Sequence, residues 1–215
     1  MTPEGMRPTV FVVDDDPDVL DSVRWLLHQA GFQVEAFDAP DQFLATFREG
    51  AGDCLVLDLR MPTMDGLTVQ QELIRLGAEI PIIFISAHGD IPQTVRAMHQ
   101  GAWDFIEKPF DPHRLVESVQ GALNWSRLRR DARRRKATFT ERYAQLSPRE
   151  KEVAREVAGG FSSKEVAQRL GMSPRTVETH RYRLMEKMGA HSTVHLVLML
   201  VELGEEIPRL PEDEG

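Results

Sequence analysis

Short apolar runs alternate along the first half of the chain with stretches in which apolar residues recur every three or four positions. TVFVV (9–13), CLVLD (54–58) and PIIFIS (81–86) are continuous runs of the kind buried on both faces of a parallel sheet. QVEAF (33–37) and WDFIE (103–107) are weaker strand candidates. Between them the spacing predicts helices over 17–30, 40–48, 65–76, 91–99 and from 112 onward. Pro17 suits a first helical turn, Gly31 can stop the helix it opens, and Pro81 reads as a strand start. Five such βα units predict an α/β fold with a five-stranded, doubly wound parallel sheet, and they leave no room for an eight-stranded barrel.

Beyond residue 112 the pattern changes. Leu115, Val119, Ala122, Leu123 and Leu128 keep helical spacing, and no proline intervenes before Pro148, so one exposed helix is predicted to run on through roughly residue 136. Three further helix starts follow, each opened by serine. SPRE (147–150) pairs a capping Ser147 with Pro148 and Glu150, SSKE (162–165) repeats the serine-to-glutamate spacing, and SPRT (173–176) opens a third. Gly159 and Gly160 end the first of these helices, and Gly171 ends the second. A fourth, STVHLVLMLVEL (192–203), is apolar enough to require burial. The predicted second domain is therefore all-α, with four helices.

Charge separates the same two regions. The chain of 215 residues has a net charge of -8, which by itself argues against a polyanion partner. Residues 1–123 carry a net charge of -12, however, whereas residues 124–201 carry +9. Two halves of opposite sign imply two different tasks. Cys54 is the sole cysteine, so no disulfide can form within the chain. With neither a signal-peptide pattern nor an apolar run of transmembrane length, the expectation is a cytoplasmic protein without membrane attachment.

The acidic half gathers its chemistry where the strands end. Asp14 and Asp15 follow the first strand, Asp58 closes the third, Ser86 closes the fourth, and Lys108 follows the fifth. Ligands of open parallel sheets bind beyond the carboxyl ends of the strands. If the first and third strands are neighbours, three carboxylates converge there, an arrangement that repulsion disfavours unless a hard cation offsets it. Oxygen donors without histidine or thiol point to Mg²⁺ rather than zinc. Lys108 can pair with Asp58 when the site is empty and with a phosphoryl group when it is filled, and Ser86 offers a hydroxyl to the same oxygens. Asp58, central and the sole acid of LVLDLRMP, is then the nucleophile that would form an acyl phosphate. Asp16, just before Pro17, reads as a helix cap.

Residues 9 to about 124 resemble the receiver domain of two-component response regulators through VVDDD, VLDLRMPTMDG, IFISAHGD and FIEKPF, in that order. The resemblance implies phosphorylation of Asp58 by a sensor histidine kinase. It implies that Asp15 and Asp58 give oxygens to Mg²⁺ directly, that Asp14 acts largely through a metal-bound water, and that the backbone carbonyl of Arg60 is a further ligand. Ser86 becomes the switch hydroxyl, Lys108 the phosphoryl contact, and Phe105 an aromatic that changes rotamer. It also implies that the face between Ser86 and Phe105 reports phosphorylation by dimerising.

In the basic half, the short GMS turn between the second and third helices has helix-turn-helix spacing. Val166, Ala167, Leu170, Val177, Leu184 and Met188 can form one core, leaving Arg175, Glu178, Thr179, Arg181, Tyr182 and Arg183 as candidates to face outward. Arginines and hydroxyls on one helix suit phosphates and base edges in a major groove. His180 reads equally as a phosphate contact or as a packed or solvent-facing residue. Six arginines and Lys136 within 127–136 fit either a solvated linker face or a DNA-backbone contact.

Residues of about 144–205 resemble the LuxR-type helix-turn-helix output domain of the NarL/FixJ family through LSPREKEV, SSKEVAQRLGMSPRTVETHR and LMEKMGA. That resemblance makes the helix opened by Ser173 the recognition helix, with Thr176, Glu178, Thr179, Arg181 and Tyr182 near the groove and Lys164 at the DNA backbone. Glu178 and Tyr182 depart from the lysine-rich positions of many relatives, and Glu178 would either accept from a cytosine amino group or orient Arg181.

The expected organisation is a receiver at 8–124, a basic helical linker at 125–143, the DNA-binding domain at 144–205 and an acidic flexible tail at 206–215. The expected function is a phosphorylation-switched transcription regulator rather than an enzyme. Its expected partners are a histidine kinase, double-stranded promoter DNA, a second copy of itself and RNA polymerase. Two alternatives stand beside it: a dimeric DNA-binding regulator indifferent to phosphate, and a Mg²⁺-dependent phosphohydrolase.

Overall fold

The computed structural model describes residues 8–48, 52–87 and 91–209. They form two compact units that divide between Arg129 and Arg130. In the first, β1 (Thr9–Val13), α1 (Pro17–Gln29), β2 (Gln33–Phe37), α2 (Pro40–Thr46), β3 (Cys54–Asp58), α3 (Gly66–Arg75), β4 (Ile82–Ser86), α4 (Ile91–His99) and β5 (Asp104–Glu107) alternate, followed by α5 (Pro112–Ala144). The strands make a five-stranded parallel sheet in the order β2-β1-β3-β4-β5. This order explains the strength of each run: β3 and β4 lie inside the sheet and are buried throughout, while the weaker QVEAF and WDFIE segments are its two edges.

Residues of alternate parity serve opposite faces of the sheet. Val10, Val12, Cys54, Val56, Ile83, Ile85 and Ile106 pack with Val23 and Leu27 of α1 and with Leu115 and Val119 of α5. Phe11, Val13, Leu55, Leu57 and Phe84 pack instead with Phe43 of α2, Leu73 of α3 and Ala97 of α4. Extending the first parity by one step reaches Asp14 after Val12, Asp58 after Val56 and Lys108 after Ile106. Strand periodicity thus aims these three side chains to the same side of the sheet's carboxyl end.

Local chemistry sets the helix starts. Asp16 caps α1, accepting from the backbone N–H groups of Asp18 at 2.9 Å and Val19 at 3.4 Å. Asp65 caps α3 by accepting from the Thr68 N–H at 2.7 Å. Gly66, the first residue of that helix, leaves no space for a side chain, since a Cβ there would meet the Asp58 carbonyl oxygen at 2.5 Å and the Phe84 ring at 2.9 Å. This close approach seats α3 directly behind Asp58.

Helix α5 continues to Ala144, beyond the expected end near residue 136. In the second unit, half-buried Phe139 and Tyr143 on its last turns join the core, which gives those turns an apolar anchor. That unit continues with α6 (Pro148–Ala158), α7 (Ser163–Leu170), α8 (Pro174–Met188) and α9 (Thr193–Leu203). Ser147 and Ser162 each form a reciprocal capping box, with Glu150 and Glu165, and Ser173 caps α8. Gly171 ends α7 at φ +64°, a left-handed conformation that favours glycine, and so permits the tight turn into α8. Val153, Val166, Val177, Leu184, Met188, Leu196 and Leu200 fill the core.

Buried Glu150 accepts from Lys187 Nζ and from the Ser147 N–H at 2.7 and 2.8 Å. Burial would raise its pKa, but these hydrogen bonds outweigh that and hold it at about 2. No helix among the described residues is long and apolar enough to cross a membrane. Part of the FISAHGD segment (88–90) and most of the expected acidic tail (210–215) lie outside the described residues.

Candidate functional site

The carboxyl ends of β1, β3 and β5 bring together Asp14, Asp58 and Lys108. Lys108 Nζ donates to Asp14 Oδ2 at 2.6 Å and to Asp58 Oδ1 at 2.7 Å. The remaining carboxylate oxygens are held by nearby backbone, with the Asp16 N–H on Asp14 Oδ1 at 3.0 Å and the Arg60 N–H on Asp58 Oδ2 at 2.6 Å. Asp14 and Asp58 are 1% and 5% exposed. The Asp14–Lys108 pair, as short as the Asp58–Lys108 pair, goes beyond the pairing with Asp58 alone that the sequence led us to expect. The shared parity of Val12–Asp14 and Ile106–Lys108 is the signal that could have found it.

One ammonium therefore serves two buried carboxylates. Burial pushes the Asp14 carboxyl above the usual aspartate range, and the hydrogen bonds from Lys108 and Asp16 only partly counter it. For Lys108, burial works against the charged form, but hydrogen bonds to Asp14 and Asp58 outweigh it and raise the pKa. The two shifts have different causes, desolvation for Asp14 and a pair of carboxylate acceptors for Lys108.

Ser86, at the end of β4, is 1% exposed, and its carbonyl accepts from the Lys108 N–H at 2.7 Å, which ties the two strand ends together. Phe105 lies opposite Phe84 in the β4–β5 register and is half-buried against the core of that face. Asp15, by contrast, is exposed. Among the described residues no three acidic, histidine or cysteine side chains are grouped closely enough to hold a metal ion, so the three-carboxylate convergence expected from sequence reduces here to two. The donor set still suits a hard cation, because all its side-chain donors are carboxylate oxygens and the two buried ones outnumber the ammonium between them.

In the second unit, Lys164, Ser173, Arg175, Thr176, Glu178, Thr179 and Tyr182 are all exposed, Tyr182 at 71%. Several have intramolecular partners. Ser173 Oγ lies 2.8 Å from Thr176 Oγ1 and accepts from the Thr176 N–H, while Thr179 Oγ1 donates to the Arg175 carbonyl at 3.0 Å. Glu178 accepts from Ser163 Oγ of α7 rather than pairing with Arg181. Arg181 is half-buried and donates to Thr193 Oγ1 of α9 at 3.3 Å, which corrects its expected outward placement. Ser163 and Thr193 escaped the sequence reading because both sit beside capping serines and invite no role of their own. His180 is half-buried, and its Nδ1 has no hydrogen-bond partner.

Residues 10–120 match the family model of the response regulator receiver domain, and residues 144–200 match that of bacterial regulatory proteins of the luxR family. The chain is 42% identical to Nodulation protein W of Bradyrhizobium diazoefficiens over 94% of its own length and 89% of that protein's. It is 41% identical to the transcriptional regulatory protein TdiR of Thauera aromatica, over 91% of this chain and 86% of TdiR. Among solved structures, that of the response regulator StyR has a TM-score of 0.82 at 41% identity, covering 92% of this chain and 100% of that one.

Removing the ammonium leaves two buried carboxylates facing each other. Lys108→Met is expected to destabilise the protein by about 3 kcal/mol at neutral pH, measured by urea unfolding. The cost belongs to ionised carboxylates, and that of Asp14 is already raised, so the gap from the parent should narrow as pH falls and protons replace the lost cation. A gap that is constant with pH would show that Lys108 acts by packing alone.

Proposed function

This chain belongs to the response regulators of the NarL/FixJ type, in which a receiver domain is joined to a LuxR-type helix-turn-helix DNA-binding domain, and we propose that Asp58 is its phosphoacceptor and that phosphorylation switches its DNA-binding output. The observation that carries this reading is the pair of buried carboxylates held by one ammonium at the carboxyl end of the sheet. Asp58 is the central one, on β3 between β1 and β4. A sensor histidine kinase is the proposed donor: an Asp58 oxygen attacks phosphorus, the donor's P–N bond breaks, and the imidazole takes up the electron pair.

Lys108 is the proposed follower of that charge, exchanging a carboxylate oxygen for a phosphoryl oxygen, with the Ser86 hydroxyl turning to the same group. Asp14, Asp15, Asp58 and the Arg60 carbonyl are the groups that would hold Mg²⁺. When bound, Mg²⁺ supplies neutralising charge for the phosphoryl oxygens. Phe105, opposite Phe84 on the same β4–β5 ladder that ends at Ser86 and Glu107, is the proposed reporter of the change. On α4, Ile91, Val95 and Met98 are 75%, 47% and 44% exposed, which supports that side as the one that pairs two copies upon activation. Two copies on one promoter would then bind with a joint affinity that neither reaches alone. The proposed setting is the cytoplasm, with RNA polymerase as a further partner at the promoter.

For the output domain, we assign groove contacts to Arg175, Thr176 and Tyr182 and a backbone contact to Lys164, all exposed. Ser173 and Thr179 would contribute from the same helix after giving up local hydrogen bonds. Glu178 and Arg181 act chiefly as positioning residues, one tying α8 to α7 and the other tying it to α9.

Two experiments test these assignments. After incubation with Mg²⁺ and a small phosphodonor, intact mass should show one added phosphoryl group on the parent and none on Asp58→Asn; a gain retained by the variant would place the acceptor elsewhere. If Lys164 meets only phosphate, Lys164→Ala should reduce the slope of log affinity against log salt concentration by about 1, with the ranking of DNA sequences preserved. A changed ranking would make it a base reader.

A further inference from the structure

Much of the positive charge of the second unit lies outside its helix-turn-helix. Within that unit, residues 130–136 of α5 carry five cations against Asp131, a net charge of +4, whereas residues 137–201 hold 10 Lys and Arg against 7 Asp and Glu, a net of +3. Internal ties occupy most of the latter. Arg149, Arg155, Arg169 and Lys187 form ion pairs with glutamates of the same unit. Arg142 is held by the Met188 carbonyl and Arg181 by Thr193. Binding to a duplex gains affinity from each phosphate that a cation neutralises, so the compact helical core alone has little to offer in that respect.

The run Arg133, Arg134, Arg135 and Lys136 differs in this respect. All four side chains are exposed, and Arg134, Arg135 and Lys136 form no ion pair among the described residues. Successive helical residues turn by about 100° and rise about 1.5 Å, so the four cations ring α5, and a polyanion meets positive charge on whichever side it approaches. Like charges also stand at helical spacing, Arg130 to Arg134 and Arg133 to Lys136, a repulsion that bound phosphates would relieve. Lys136 is only three residues from Phe139, which with Tyr143 joins α5 to the core of the unit, so the basic turn moves with the helix-turn-helix. We propose that this turn of α5 is a second, sequence-independent DNA contact, meeting the phosphate backbone of the duplex whose groove α8 reads. It rests on the DNA-binding reading of the output unit and adds an anchor that lies outside the helix-turn-helix.

The test uses the full-length protein, treated with Mg²⁺ and a small phosphodonor and then with a chelator, and a fluorescein-labelled duplex of random sequence. Anisotropy titrations from about 50 to 200 mM salt give the slope of log affinity against log salt concentration. The ring arrangement lets two or three of the four cations reach phosphate together. Replacing all four by glutamine, which keeps helix propensity, should therefore lower the slope by about 2, so that the same rise in salt costs the variant about 15-fold less affinity than the parent. Arg134→Gln combined with Arg135→Gln, expected to lower it by about 1, replaces the fourfold variant should that lose helix content by circular dichroism. An unchanged slope in a folded variant, the outcome if these cations face only water or the acidic receiver, would overturn the proposal while leaving the groove contacts standing. A parent with no affinity for the duplex at the lowest salt would overturn both.

Discussion

The receiver unit is organised around an unbalanced charge: Asp14 and Asp58, both buried, share the single ammonium of Lys108. A polypeptide tolerates such a group only where the surroundings hold it rigidly, because the repulsion and desolvation would otherwise be relieved by unfolding or by proton uptake. The rigidity comes from below. Three strands with continuous apolar runs lock the register of the sheet, period-two alternation sends all three side chains to one side, and backbone N–H groups of Asp16 and Arg60 pin the outer carboxylate oxygens. Gly66 adds to this by letting α3 start against the Asp58 carbonyl.

The helical unit shows the opposite case. Glu150 is as deeply buried, yet it meets Lys187 one to one and closes a capping box with Ser147, and its pKa falls to about 2. A balanced buried pair of this kind is a structural tie between α6 and α8. The contrast explains why the two halves divide the work. The receiver's two carboxylates on one ammonium suit a further cation, whereas the output unit uses its charges to hold the helix-turn-helix and to present an exposed basic surface.

Much of the fold was legible in the sequence for physical reasons. Buried parallel strands must be apolar on both faces, so β1, β3 and β4 stood out, and serine caps marked the starts of α6, α7 and α8, with glycines marking the ends of α6 and α7, within a residue or two. The weaker edges, β2 and β5, were read from their place in the alternation more than from their own composition. The end of α5 was not legible, because Phe139 and Tyr143 are too sparse to show a periodic stripe and only packing reveals what they anchor. At the site, strand ends located Asp14, Asp58, Ser86 and Lys108. The exposure of Asp15, the second bond of Lys108, and the capture of Glu178 by Ser163 and of Arg181 by Thr193 depend on side-chain geometry that spacing does not encode.

The claim that most directly needs testing is that Lys108 under-neutralises its carboxylates and thereby leaves them able to recruit a divalent cation. Calorimetric titration of Mg²⁺ at neutral pH into the parent, Asp14→Asn and Lys108→Met would settle it. The account predicts one ion per chain in the parent, weaker binding in Asp14→Asn, and tighter binding in Lys108→Met, where the competing ammonium is gone. Lys108→Met binding Mg²⁺ no more tightly than the parent would contradict it.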